Sequence, residues 1–484
     1  MKRAIPRLRT LGWGALGWGA LGLGALGLGA IALHFWHLGQ PHALVFDEVY
    51  YVPFALDYLH GTPSFDAHPP LGKYLIALGL WLGQWPAAWL GWPTLEVEDA
   101  WVSPLAFRWL NALVGSTIPL LLAALADQLS GAYSPQRRRR FAGLAGVLMA
   151  MEGLTLVESR LALINIYGLA LGLLGQWSWL RAPRSQHPAR WRWVTGIALG
   201  AAINVKWNWA GFWLGLLLWD ILQNSSPNIT PIPPIPHSTW RPGWNGIPWR
   251  WVYLGIIPAA TYALLWLPHL ALTGESFLGV HRQLWSMHQS IGMAEHPYCS
   301  AWYGWPLMLR PVAYFYQRFE HTATTIHAMG NPVLWWLATA AVLSLALAWL
   351  ARRITLVGWA KPACPSASFS GDGHGQSPLP ILRSEFQTHG VVPFIVINYV
   401  TNWLPWALVS RCTFLYHAMG MAAFSLLGLA WLMAQWLEHR RHRPWAMALL
   451  SAIALSFWFW LPLYLGMPLS LESLHRRWLL PGWI

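Results

Sequence analysis

Long apolar stretches separated by short polar or basic linkers run through almost the whole chain of 484 residues. Several approach or exceed the roughly 18–20 apolar residues a helix needs to cross the hydrocarbon layer. The runs are continuous and do not alternate, so membrane-spanning helices are expected rather than a barrel. After a first Gly-rich span ending near residue 33, further spans are expected at residues 104–129, 141–156, 161–180, 193–203, 209–222, 251–272, 331–350, 390–409, 418–437 and 446–465. That makes an all-α integral membrane protein of about eleven helices. Two connections are long for a membrane protein, residues 34–100 and 273–330, and long loops are where function concentrates. Within the first, residues 49–59 and 71–90 mix aromatics with a few charges, which predicts helices lying at the interface.

Charge sharpens this picture. The chain is 56% hydrophobic and only 10% charged, with 38 Trp and a formal net charge of +13. In a soluble protein that balance would suggest nucleic acid. Here most Lys and Arg fall in linkers that the spans place on one side, with Arg137, Arg138, Arg139 and Arg140 as the strongest marker, so the charge sets orientation. Lys2, Arg3, Arg7 and Arg9 keep the N-terminus cytoplasmic, and the Leu-Gly-Trp-Gly-Ala repeat of residues 11–30 reads as a retained anchor whose small residues allow close packing. The Pro-rich linker 223–250 and the Gly/Ser/Pro-containing linker 351–389 are then cytoplasmic, and residues 467–484 form an extracytoplasmic tail behind a membrane domain spanning 1–466. Cys299, Cys364 and Cys412 stand far apart without metal-type spacing, which supports neither a disulfide framework nor a zinc site.

With charge this scarce, its placement carries information. The topology sends Asp47, Glu48, Asp66, His68, Lys73, Arg160, Lys206, His296, Arg310, Arg411 and His417 to one face of the membrane. Taken singly, each has an ordinary role: acidic residues beside a span are usually solvated, and Arg at a helix end usually snorkels. Together, carboxylates, cations and aromatics above a helical bundle suit an anionic phosphate carrying an apolar tail, with a polyol stacked on aromatic faces. A carboxylate can accept the proton of an attacking hydroxyl while Arg and Lys neutralise a departing phosphate. The chemistry favoured is transfer of a lipid-phosphate-linked group to a hydroxyl.

Six blocks in order carry a family resemblance: Phe46-Asp47-Glu48-Val49-Tyr50-Tyr51, the run from Phe65 to Lys73, Glu158 to Leu163, Lys206-Trp207-Asn208, His296 to Pro306, and Arg411 to His417. They resemble the protein O-mannosyltransferases, membrane glycosyltransferases of the GT-C type. The resemblance implies an inverting enzyme that moves mannose from a polyprenyl (dolichyl-type) monophosphate carrier to Ser or Thr of exported polypeptides. It implies Asp47 as catalytic base with Glu48 beside it, although Glu48 could instead be the base or orient Arg160. It implies a donor and acceptor site drawing on Arg160, Lys206, Arg411, His417, His68, Lys73, His296, Tyr298 and Trp305. No cofactor, no metal and no nucleic acid are expected; the partners are the lipid-linked donor, the polypeptide acceptor and membrane lipids, in the plasma membrane, with the active site extracytoplasmic. The chain departs from the family in carrying Asn165 where Asp is usual, and the second long loop has no room for the β-trefoil module of eukaryotic members. Eukaryotic members pair as dimers; nothing in this sequence speaks to that. Two competing readings stay open: a related GT-C enzyme that glycosylates a lipid or glycan, such as aminoarabinose transfer to lipid A, and a transporter using Asp127, Glu152 and Asp220.

Overall fold

The computed structural model describes residues 13–131, 133–225, 249–290, 296–358 and 390–483. Helices dominate. They are α1 Trp13–Phe35, α2 Glu48–His60, α3 Leu71–Leu90, α4 Pro104–Leu129, α5 Pro135–Ala150, α6 Gly153–Ser159, α7 Asn165–Arg181, α8 Pro188–Val205 and α9 Ala210–Ser225. The second half adds α10 Trp249–Thr273, α11 Phe277–Ser290, α12 Pro332–Gly358, α13 Val391–Trp403, α14 Met419–Trp436 and α15 Arg443–Leu465. Every expected span has a helix, but among the described residues only six are long and apolar enough to cross a membrane alone, or seven if the bent pair α5 and α6 counts as one. The shortfall against eleven lies in α1, α7, α8 and α9. α7 and α9 have 17 and 16 residues, and α8 carries Arg190 and Arg192 within its first turns.

Of these, α7 lies inside the bundle, where small residues let its neighbours approach closely, whereas α1 keeps Leu21 and Leu28 exposed. A Cβ on Gly168 of α7 would sit 2.0 Å from the Trp209 ring, and one on Gly172 would sit 2.6 Å from Phe212. The most enclosed span is residues 415–436, 94% buried over its apolar window, whereas the windows of α10 and α15 are 28% buried. α14 is therefore the central post and the other two are peripheral. Glu152 caps α6 at the bend after α5, accepting from the Leu154 and Thr155 amides at 3.0 and 2.6 Å. Asp127 is held by Arg138 at 2.7 Å. Asp127 and Glu152, both of which kept a transporter reading open, are thus structural residues.

The first long loop carries helices α2 and α3 over the residues expected to be helical, followed by a hairpin of β1 Leu95–Val97 and β2 Ala100–Val102 that the sequence reading did not anticipate. The second holds α11, a 3-10 turn at Trp302–Leu307 and an antiparallel pair, β3 Val312–Arg318 and β4 Thr322–Ala328, that an all-α reading did not anticipate. Its signal was a β-branched and aromatic run either side of the short break 319–321. The C-terminal tail is part of this unit: β5 Pro468–Ser470 pairs with β4, and the buried Trp483 donates its indole N–H to the Met308 carbonyl at 2.9 Å. Linker residues 226–248 and 359–389 lie outside the described residues.

The cysteine expectation needs correction. Cys299 and Cys412 form a disulfide across 113 residues, with Cα atoms 5.3 Å apart. Their separation hides the pairing in sequence, because only folding brings the second long loop against the Arg411–His417 block. Paired bonds flank it, Ser300 N–H to Thr413 O at 2.7 Å and Thr413 Oγ1 to Ser300 O at 2.6 Å.

Candidate functional site

Asp47 and Glu48 are adjacent in sequence and opposite in fate. Glu48 is fully buried and accepts four hydrogen bonds: Arg108 Nε and Nη2 at 2.8 and 2.7 Å, and the Val45 and Ala162 amides at 2.9 and 2.7 Å. Arg108 spends its remaining N–H groups on the carbonyls of Leu38, Pro41 and Ala43. Each charge in this knot is neutralised and each donor used, the arrangement that makes a buried ion pair tolerable. Glu48 therefore orients Arg108 rather than Arg160. Arg108 escaped notice in the sequence, although a lone Arg inside an apolar span is costly enough to have flagged it.

Asp47 occupies the N-cap position of α2 without its side chain capping the helix, which leaves the carboxylate available. The preceding Phe46 has φ of 51°, the left-handed region that costs a bulky residue about 1–3 kcal/mol. Packing holds it there: the Phe46 ring stacks on Tyr314 at 4.0 Å and meets Tyr416 edge-on at 6.1 Å. Burial pushes the Asp47 carboxyl up to about 6; Lys206 pulls it down and Asp66 pushes it up, and burial wins. Burial and Arg411 lower the Lys206 ammonium, against the pull of Asp47. A base near neutrality beside a cation is suited to proton transfer.

Lys206 also lines a cavity of about 550 Å³, within the usual range for a small-molecule site; Asp47 is not among the lining residues and is joined to the cavity through its electrostatic pairing with Lys206. One side is polar, with His68, Lys206, Asn208, His288, Asn402 and Arg411. The other is apolar, with Trp207, Trp213, Leu214, Trp285, Trp406 and Leu408. The apolar wall reaches the protein surface, where Leu408 is 90% and Trp285 62% exposed. Among the described residues neither Lys206 nor Arg411 has a carboxylate within ion-pair distance. Lys206 Nζ lies 3.5 Å from Asn165 Oδ1 and 5.2 Å from the Tyr416 ring centre, and Arg411 donates to the Cys412 carbonyl. The cavity thus offers cations without an ion-pair partner beside exposed apolar side chains, which fits an anion with a hydrocarbon tail.

The remaining candidate residues divide. His68 lines the cavity; burial first, then Lys206, push its imidazole well below the ordinary value, so it stays neutral. Lys73 is committed to Asp66 at 2.6 Å and to the His68 carbonyl at 2.8 Å, which braces the His68 loop from behind. Arg160 donates to the carbonyls of Leu33 and His34 at the end of α1 and does not line the cavity. His417 is buried, 4.4 Å from Trp406 and stacked at 6.1 Å on Trp305, whose indole is fixed by Ser300 Oγ at 2.9 Å. His417 and Trp305 are thus the layer behind the cavity wall. His296 is exposed and packs edge-on against Phe414 at 5.2 Å, while Tyr298 lies under Arg310 at 5.9 Å, and neither lines the cavity. Asn165 donates to Glu158 at 3.0 Å, and Tyr314 donates to the same carboxylate, so the position holds a neutral bridge to Glu158 and no tie to Arg160.

Comparison with known proteins follows the same lines. Residues 24–273 match the family described as dolichyl-phosphate-mannose-protein mannosyltransferase, and residues 273–483 match the C-terminal four-helix region of protein O-mannosyltransferase. A polyprenol-phosphate-mannose–protein mannosyltransferase of Mycolicibacterium smegmatis is 24% identical over 91% of this chain and 87% of its own length. Among solved structures, the Saccharomyces cerevisiae protein O-mannosyltransferase Pmt1-Pmt2 complex bound to the sugar donor superposes with a TM-score of 0.74 at 14% identity, covering 96% of this chain and 93% of that one. ArnT from Cupriavidus metallidurans bound to undecaprenyl phosphate gives 0.50 at 12% identity, over 91% and 64%. At these identities the structures speak to fold, which is that of a multi-pass membrane glycosyltransferase of the GT-C type.

Proposed function

This chain belongs to the dolichyl-phosphate-mannose-protein mannosyltransferase family, and on that premise we propose that it transfers mannose from a polyprenyl monophosphate carrier to Ser or Thr hydroxyls of exported polypeptides. The observation that carries the reading is Asp47, raised to about 6, free of any cap bond and electrostatically paired with Lys206, which with Arg411 lines a cavity where neither cation has a carboxylate within ion-pair distance among the described residues.

In this reading the donor phosphate lies against Lys206 and Arg411 and its polyprenyl tail leaves along Trp213, Leu214 and Leu408. Asp47 takes the proton of the acceptor hydroxyl. The hydroxyl oxygen forms a bond to the anomeric carbon from the face opposite the phosphate, inverting it. The bond from that carbon to the phosphate oxygen breaks, and polyprenyl phosphate departs with the electron pair. Lys206 and Arg411 stabilise the charge that accumulates on it, so the reaction proceeds without a metal. Neutral His68 and His288 contribute hydrogen bonds without adding charge. The enzyme sits in the plasma membrane with its N-terminus cytoplasmic and this cavity extracytoplasmic, as the basic linkers indicate.

The test uses membranes containing the full chain, labelled polyprenyl-phosphate mannose and a Ser/Thr-rich peptide. Label in the peptide, lost when Asp47→Asn replaces the wild type, is the expected outcome. Label confined to lipid would overturn the polypeptide acceptor and favour a lipid-glycosylating relative.

A further inference from the structure

β3 is an edge strand. The sheet order is β3-β4-β5, so β3 has β4 on one side and, among the described residues, no backbone partner on the other. The hairpin closes with Phe319 N–H to Thr322 O at 2.8 Å, and the register pairs Gln317 with Thr324 and Phe315 with Ile326. Alternation in an antiparallel ladder then turns the N–H and C=O groups of Phe315 and Gln317 toward β4 and those of Tyr316 and Arg318 away from it. Edge strands are usually guarded by Pro, inward charge, short length or a covering element. This one runs seven residues with no Pro and a single charge at its last position, and Tyr316 and Phe319 are 53% and 50% exposed.

The strand also leads to the site. A bulge at Tyr314 ends the regular ladder, and that ring stacks at 4.0 Å on Phe46, the residue before Asp47. Tyr316 lies roughly 7 Å further along at about 3.3 Å per residue. Exported acceptors of varied sequence share a backbone rather than side chains, and a free strand edge recognises backbone.

We infer that the outer edge of β3 is the docking site for the acceptor polypeptide. An extended segment adds beside β3, pairs with the outward groups of Tyr316 and Arg318, and carries its Ser or Thr past Phe46 to Asp47. Recognition of this kind tolerates almost any side chain but excludes helical or proline-interrupted segments. The inference rests on the mannosyl-transfer reading above.

The experiment is a backbone N-methyl scan of a single-Thr peptide, using the full-length wild type in membranes with polyprenyl-phosphate mannose as donor. An N-methyl removes one donor and blocks one edge, so methyls at every second residue raise the peptide KM about tenfold while those between leave it within about twofold. The donor KM stays constant throughout. A response without that alternation overturns edge docking while leaving mannosyl transfer intact; no transfer to any peptide overturns both. Tyr316→Pro, which removes an outward N–H that the ladder does not use, is expected to raise the peptide KM about tenfold with donor KM unchanged. An unchanged peptide KM in that variant counts against the inference.

Discussion

Two charged regions lie side by side in this molecule and follow opposite rules. In the knot around Arg108, each guanidinium N–H and both Glu48 oxygens have partners, and side-chain exposure of the pair is 0%. In the cavity around Lys206 and Arg411, cations face open volume with no carboxylate within ion-pair distance among the described residues. A satisfied buried pair is neutral in effect and rigid in geometry, so the knot holds the 38–48 segment in place. An unsatisfied set of charges is poised for an ion that arrives from outside. The lesson is that neighbouring carboxylates, Asp47 and Glu48, are distinguished by what they already hold.

The largest expected effect comes from removing the carboxylate that is still available. Asp47→Asn should lower kcat by about 10²–10⁴, the usual worth of a positioned general base, with donor binding nearly intact. It should not destabilise the protein, because an amide is cheaper to bury than a carboxylate. A variant that turned over at the wild-type rate would end the comparison as stated.

Next in size, Arg108→Met leaves Glu48 as an uncompensated buried charge and should cost about 3–5 kcal/mol of stability. The measurement is thermal unfolding in detergent, and a variant as stable as wild type would mean the knot is not structural. Arg411→Gln acts on the other region: it should raise the donor KM about 10- to 100-fold, the worth of a hydrogen bond to a charged group, with little change in unfolding temperature. A large drop in stability instead would place Arg411 with the structural charges.

The smallest effect is on pH. Since burial raises the Asp47 carboxyl to about 6, its active deprotonated form falls as pH drops through that value. At pH 5 about a tenth remains, so kcat/KM should be roughly tenfold below its plateau. A profile flat to pH 4.5 would remove Asp47 as the titrating base.

Much of this was legible in the sequence. Continuous apolar runs locate the spanning helices, the mix of aromatics and a few charges locates α2 and α3 in the first long loop, and the ordered blocks single out Asp47, His68, Lys206 and Arg411. Other features could not be read. Lys73 and Arg160 looked like phosphate ligands because a free cation and a paired one share the same letter. Arg108 stands out as a lone Arg inside an apolar span, but its partner Glu48, 60 residues away, is not legible in the sequence. The hairpin of β3 and β4 was lost within a long loop whose aromatics suggested an interfacial belt.

By itself, the sequence determined that this is a helical membrane protein with scarce charge collected in a few blocks, because hydropathy is summed locally along the chain and needs no knowledge of what packs against it. Only the tertiary structure decided which carboxylate is spent and which is available, that Cys299 meets Cys412, and that β3 leaves an edge open beside Phe46. Those outcomes depend on contacts between residues far apart in the chain, where burial and pairing, rather than residue type, set the energy of a charge.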